Sequence, residues 1–131
     1  MACIFCQPLP YILENDLAAA FFDKKPVSPG HLLIIPKAHY ATYFDVPTAT
    51  RNAMLALLTQ AKAYLDAHNH PDGYNIGINV DPAAGQTVMH CHLHLIPRYQ
   101  GDVPDPAGGI RKMLPDGAVS YTHLRAHETR S

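Results

Sequence analysis

The stretch from Thr87 to Ile96, which reads Thr-Val-Met-His-Cys-His-Leu-His-Leu-Ile, constrains the fold more than any other. In an extended chain, alternate side chains share a face. His90, His92 and His94 therefore fall on one side, and Cys91, Leu93 and Leu95 fall on the other, toward a core. The pattern predicts a strand over residues 87–96, ended by Pro97. Three imidazoles along one face, spaced about 6.5–7 Å apart, each need a partner and would repel one another if protonated. Such a row points to chemistry rather than to packing.

The rest of the chain supplies what such a strand needs around it. Residues 74–80 read as a second strand, and Asp81-Pro82-Ala83-Ala84-Gly85 as a short turn, so the two strands form a hairpin. Met54, Leu57, Leu58, Ala61 and Leu65 recur at helical spacing, predicting one amphipathic helix from caps at Pro47–Thr50 to about residue 67. Proline and glycine in residues 69–73 stop it. Residues 31–36 form a short branched apolar run ended by Pro36, a strand. Residues 11–23 read as two short strands around a polar break. Residues 24–30 are a loop, and 1–10 a single-turn entry. Proline and glycine are frequent from 99 to 117, which predicts an ordered loop. These elements make an α+β domain: an antiparallel sheet of about five strands, one long helix and a short N-terminal element. Residues 1–118 form the expected single domain. Residues 119–131 carry no matching pattern, resemble a translated sequencing adapter, and are set aside as a tail.

Composition narrows the function classes. At 131 residues, one domain is expected. Hydrophobic residues at 47% and charged residues at 16% exclude a disordered chain. A net charge of −1 disfavours a nucleic-acid binder that works through a basic field. No apolar run approaches the roughly 18 residues of a membrane span, and no leader pattern opens the chain. Three cysteines are too few and too odd for a disulfide framework, so a reducing cytoplasm is expected.

Two chemistries suit the histidine row: metal binding, or nucleophilic attack by one histidine supported by the others. Gly85, Gln86 and Thr87 precede the row and supply an amide, a hydroxyl and flexible backbone. Asn79 adds a second amide across the hairpin. These are neutral donors suited to phosphate oxygens. No Asp or Glu lies between Asp81 and Gly101 to serve as a further ligand or general base. The balance tilts toward a histidine nucleophile directed at phosphorus.

His90-Cys91-His92-Leu93-His94-Leu95-Ile96 resembles the signature of the histidine triad (HIT) family, in which three histidines alternate with other residues and two apolar residues follow. The resemblance runs from Cys3 to about Pro115. It includes a second block, from Val27-Ser28-Pro29-Gly30-His31 to Pro36-Lys37, and the Gly85-Gln86-Thr87 lead-in. The segment from Tyr99 to Arg111 is similar to bacterial, zinc-binding, dinucleoside polyphosphate hydrolase-like members, departing at Ala107 where those usually carry Arg. The resemblance implies a HIT-like fold, a homodimer, and hydrolysis or transfer at the α-phosphate of a purine nucleotide derivative. Dinucleoside polyphosphates and nucleoside phosphoramidates are the two substrate classes. It implies that His92 is the nucleophile forming a nucleotidyl-histidine intermediate. His94 would contact the α-phosphate, and Gln86 and Thr87 would donate to its oxygens or the leaving group. Asn79 would sit near the phosphate, Asp23 would accept from ribose hydroxyls, and Phe5 would line the base pocket.

Cys3 and Cys6 form a Cys-x-x-Cys pair, suited to zinc or to a redox disulfide. The N-terminus lacks the strand-to-helix setting of a redox motif. Cys91 points away from His90 and makes a poor fourth ligand. Zinc-bearing triad proteins and the related galactose-1-phosphate uridylyltransferases resemble this arrangement, which implies Cys3, Cys6, His39 and His90 as a closed structural zinc site. His31 either orients the active-site wall or simply begins a strand. Lys24 and Lys25 read as solvated loop charges, and His68 and His70 as helix C-terminal residues. Two rival readings remain: a hydrolase using all three triad histidines as metal ligands, and a nucleotide-binding module without turnover.

Overall fold

A computed structural model describes residues 3–114. The described residues divide into two compact units at Tyr99/Gln100. Among the described residues the first unit holds every regular strand and the α-helix. Its strands are β1 (Leu13–Glu14), β2 (Ala18–Phe22), β3 (Leu32–Pro36), β4 (Gly73–Ile78) and β5 (Leu93–Arg98), with α1 (Thr48–His68) between β3 and β4. They form one antiparallel sheet in the order β1-β2-β3-β5-β4. The α+β class, the five strands, the one long helix and the short N-terminal turn at Ile4–Cys6 all match the expectation.

Period-2 alternation gives the sheet two different faces. Ala18, Ala20, Leu32, Ile34, Leu93 and Leu95 face α1 and pack on Met54, Leu57, Ala61 and Leu65. Ala19, Phe21, Leu33 and Ile35 face the other way and pack with Phe5 from the N-terminal turn. His94 pairs with Leu33 and so lies on this second, helix-free face. The triad therefore stands opposite the helix, with Cys91, Leu93 and Leu95 in the helix-side core, as the alternation requires.

Strand bounds near the triad need correction. Only Leu93–Arg98 is strand; residues 87–92 are irregular. The cause is a change of partners. The ladder with β3 begins at Ile34↔Leu93, while the Cys91 amide donates to the Tyr40 carbonyl at 2.7 Å. Pro97 does not end β5 but pairs with Tyr74 of β4. The ladder with β3 has stopped at Leu32↔Leu95, so proline at this level disturbs pairing on one side at most. The β4–β5 hairpin closes through residues 79–92, which include a 3-10 turn at Pro82–Ala84, rather than through one short turn.

Gly30 holds the loop before β3 against the end of the helix. Its φ is +89°, and a Cβ there would come within 3.0 Å of side-chain atoms of Leu65 and Asn69. In the second unit, Gly109–Met113 form a 3-10 turn, and the Ala107 amide donates to Asp105. The expected domain boundary at 118/119 and the tail at 119–131 lie outside the described residues.

Candidate active site and metal centre

The N-terminal turn brings Cys3 and Cys6 to the start of the triad. Cys3 Sγ lies 3.3 Å from His90 Nδ1, Cys6 Sγ 3.5 Å from the same atom, and Cys6 Sγ 3.4 Å from His39 Nδ1. All four donor atoms lie within 4.8 Å of one another. Zinc at about 2.0–2.3 Å from nitrogen and sulfur sets tetrahedral ligand edges of about 3.3–3.8 Å, so the donor set fits that ion. The outer contacts agree. His90 is fully buried, and its Nε2–H donates to the Pro36 carbonyl at 2.8 Å, which leaves the Nδ1 lone pair facing the thiols. Cys91 lies outside the cluster, and burial pushes its thiol up to about 11.

His92 takes its orientation from its neighbour in the chain. Its Nδ1–H donates to the His90 carbonyl at 2.8 Å, so in the neutral ring Nε2 carries the lone pair. Phe5 packs edge-on against the His92 ring, with centroids 5.2 Å apart, and likewise against Phe21 at 5.4 Å.

His94 is oriented by a longer run. The Val27 amide donates to His31 Nδ1 at 3.2 Å, so the proton of neutral His31 sits on Nε2. That Nε2–H donates to His94 Nδ1 at 3.0 Å. His94 must then carry its own proton on Nε2, an atom that is buried and has no protein partner among the described residues. Burial, reinforced by His92 and His31, pushes His94 down to about 4, and burial also lowers His31. Both rings are neutral at ordinary pH. Asp23 Oδ2 lies 3.6 Å from His31 Nε2, which puts Asp23, His31 and His94 close enough to hold a cation. The Val27 amide argues against a metal there, because a metal on Nε2 would leave His31 with no proton on either nitrogen.

These groups border a cavity of about 480 Å³. Phe5, Ile4, Leu9, Phe21 and Leu33 supply its apolar wall. His92, His94, Thr87, Asn79 and the Gly85 backbone supply a polar wall, and Asp23, Lys24 and Lys25 a charged one. The expected residues Phe5, Asp23, Asn79, Thr87, His92 and His94 thus meet at one cavity, with Cys3, Cys6, His39 and His90 beside it.

Gln86 is the exception. It is 4% exposed and absent from the cavity wall. Its Nε2 donates to the carbonyls of Ala41 and Val88, at 2.7 and 3.0 Å, and its Oε1 accepts from the Asp81 amide at 2.8 Å. Both of its N–H groups are spent, so the expectation that its side chain donates to phosphate is corrected: Gln86 holds the loop that carries Thr87. His68 also lies apart, stacked on Tyr64. Sequence reasoning missed the place of Lys24 and Lys25 on the cavity wall. Their adjacency to Asp23 was the available signal.

The three triad histidines do not converge on one metal position. His90 faces the thiols and Pro36, His92 faces the His90 carbonyl, and His94 faces His31.

A HIT domain model matches residues 7–101, and the chain belongs to that family. It is 34% identical over 106 residues to an adenylylsulfatase of Arabidopsis thaliana; the match covers 76% of this chain but 54% of that protein, so the chain spans about half that relative's length. A Zn-bound histidine triad family protein from Mycobacterium smegmatis superposes with a TM-score of 0.71 at 31% identity, covering 97% of this chain and 98% of that one. A hypothetical histidine triad nucleotide-binding protein from Sulfolobus tokodaii superposes with a TM-score of 0.72 at 32% identity, covering 79% and 73%.

Proposed function

We propose that this chain is a nucleotide hydrolase or transferase that acts at the α-phosphate of a purine nucleotide derivative through a covalent intermediate on His92. The observation that carries the reading is the pair of ring orientations. The His90 carbonyl takes the His92 Nδ1 proton, and the His31 relay puts the His94 proton on Nε2. One ring thus offers a lone pair and its neighbour a proton, with centroids 5.1 Å apart on one cavity wall.

His92 Nε2 attacks the α-phosphorus. The bond to the leaving group breaks, and the leaving group departs with the electron pair. His94 Nε2–H donates a hydrogen bond to the oxygen on which charge builds. Thr87 and Asn79 add neutral donors to the non-bridging oxygens. Water then attacks phosphorus and releases a proton to solvent as the P–N bond breaks, and the electron pair of that bond returns to His92 Nε2. Asp23 accepts from ribose hydroxyls, and Phe5, Phe21 and Leu33 enclose the base.

Cys3, Cys6, His39 and His90 would hold a zinc ion, with four protein donors and none left over for a reacting water, so its chemistry would be structural. Those four residues would tie the N-terminal turn, and Phe5 with it, to the residue whose carbonyl orients His92. The protein works as a homodimer, a reading supported by the family resemblance and by β4 lying at an open edge of the sheet. A reducing cytoplasm suits its three thiols, none in a disulfide.

The test is turnover of a nucleotide substrate panel by wild type and His92→Ala, read by product analysis. The variant should bind nucleotide nearly as well and turn over at least ~100-fold more slowly, as for loss of a covalent catalyst. Wild-type turnover by the variant would sink the mechanism. Binding without turnover by wild type would favour the module without catalysis.

A further inference from the structure

The two cysteines that would hold zinc also bring a pair of thiols together at the surface. All three cysteines are free; Cys91 is buried in the helix-side core, Cys3 is half-buried and Cys6 is exposed. The Cys6 amide donates to the Cys3 carbonyl at 3.1 Å, closing one 3-10 turn, and the two sulfurs lie within 4.8 Å of each other. A 3-10 turn takes three residues at about 2.0 Å of rise each, so the two Cα atoms stand one above the other about 6 Å apart. A disulfide spans about 4.4–6.8 Å between Cα atoms. The backbone of this turn therefore already suits a bond between the sulfurs.

The same turn carries part of the cavity. Phe5 lies between the two cysteines, lines the cavity, and packs edge-on against His92 at 5.2 Å and His90 at 6.0 Å. Both sulfurs bear on His90 Nδ1, at 3.3 and 3.5 Å, and the His90 carbonyl orients His92. Around zinc two thiolates stand about 3.8 Å apart, whereas a disulfide draws them to about 2.05 Å. Bonding the sulfurs to each other turns them away from His39 and His90 and forces Phe5, held between them in the chain, to move.

We propose that Cys3 and Cys6 are an oxidation site for peroxide, and that their closure to a disulfide unmakes the metal centre and weakens nucleotide binding in the cavity. The inference rests on the zinc and nucleotide readings of these two sites. One thiol sulfur attacks an oxygen of the peroxide; the O–O bond breaks, leaving a sulfenic acid and one water. The second sulfur attacks the sulfenic sulfur; the S–O bond breaks, the S–S bond forms and a second water leaves. The two thiol protons end on the waters, and the pair gives two electrons to the peroxide. A sulfenic acid with a second thiol one turn away is the arrangement of dithiol redox sensors. A disulfide offers no anionic sulfur, so His39 and His90 alone remain, too few for a closed four-ligand site. Thiol reductants reverse the step by exchange. Cys91, buried on the opposite face of the sheet, takes no part.

The experiment uses the full chain as isolated, without chelator. Hydrogen peroxide is added stepwise. Zinc release is followed with a chromogenic chelator, the state of each cysteine by alkylation and peptide mass, and AMP affinity by calorimetry. Wild type should form the Cys3–Cys6 disulfide, release zinc in step with it, and lose AMP affinity at least ~10-fold, as for displacement of one aromatic wall. Dithiothreitol with added zinc should restore all three readings. Cys6→His keeps four metal donors but closes no disulfide, so its zinc and AMP affinity should withstand the same peroxide. Cys91→Ala should respond as wild type does. Oxidation of Cys91 ahead of the pair, or a Cys3–Cys6 disulfide that leaves zinc and AMP affinity unchanged, overturns the proposal. So does equal zinc loss from Cys6→His. If the isolated protein holds no zinc, the metal reading fails, and AMP affinity with and without the disulfide still decides the switch. If reduced wild type does not bind AMP, the nucleotide reading fails, and zinc release in step with the disulfide still decides the oxidation site.

Discussion

His94 owes its state to a backbone amide two elements away. Val27 N–H fixes the His31 tautomer, His31 fixes that of His94, and the one proton left over has no protein partner among the described residues. No residue in this run is charged, so the arrangement does not depend on pH near neutrality: burial holds His94 down at about 4. Gln86 shows the opposite case, a side chain rich in donors that keeps none for a ligand. Replacing it with alanine leaves the Asp81 amide and the Ala41 and Val88 carbonyls unpaired in a position that is 4% exposed. Gln86→Ala should cost about 2–4 kcal/mol, given the usual penalty for each buried unpaired group. Urea unfolding measures it, and a cost below about 0.5 kcal/mol, the size of an ordinary surface change, would contradict the structural role.

Strands, helix and loops differ in how plainly the chain announces them. The apolar runs of β2 and β3 and the helical spacing of Met54, Leu57, Ala61 and Leu65 are local signals backed by burial, and those elements lie where these patterns put them. The face occupied by His90, His92 and His94 was legible for the same reason. The start of β5 was not, because residues 87–92 alternate like a strand while their backbone pairs with the Tyr40 loop, a partner no local pattern reveals. Pro97 misled because proline is compatible with a strand where only one neighbour pairs. Gln86 misled because residue type names a donor without saying what it donates to. The cavity lysines look like solvated charges until Asp23 is known to face the site. At the level of loops, Gly30 carries a sharp expectation. Gly30→Ala forces a positive φ on a side chain and presses its Cβ to 3.0 Å from Leu65 and Asn69. It should destabilise by about 1–3 kcal/mol, read as a lowered Tm; an unchanged Tm would show that the loop relaxes freely.

Across the whole molecule, the metal centre and the reacting centre share one residue. His90 offers Nδ1 to the thiol cluster, Nε2–H to Pro36 and its carbonyl to His92. Protein isolated without chelator should carry about one zinc per chain, following the four-ligand count. Cys6→Ala should lose that metal and lower Tm, and because Phe5 and His90 are released together it should also slow turnover. Elemental analysis that finds no zinc would sink the metal centre and leave the His92 chemistry standing. That chemistry is the central claim, and trapping the intermediate tests it most directly. Wild-type protein is mixed with a nucleotide substrate labelled at the α-phosphate, quenched within the first turnover, and the labelled peptide is mapped. The account predicts an acid-labile, base-stable phosphorus–nitrogen adduct on His92, absent in His92→Ala. A label on His94, or full turnover with no label on any histidine, would contradict it.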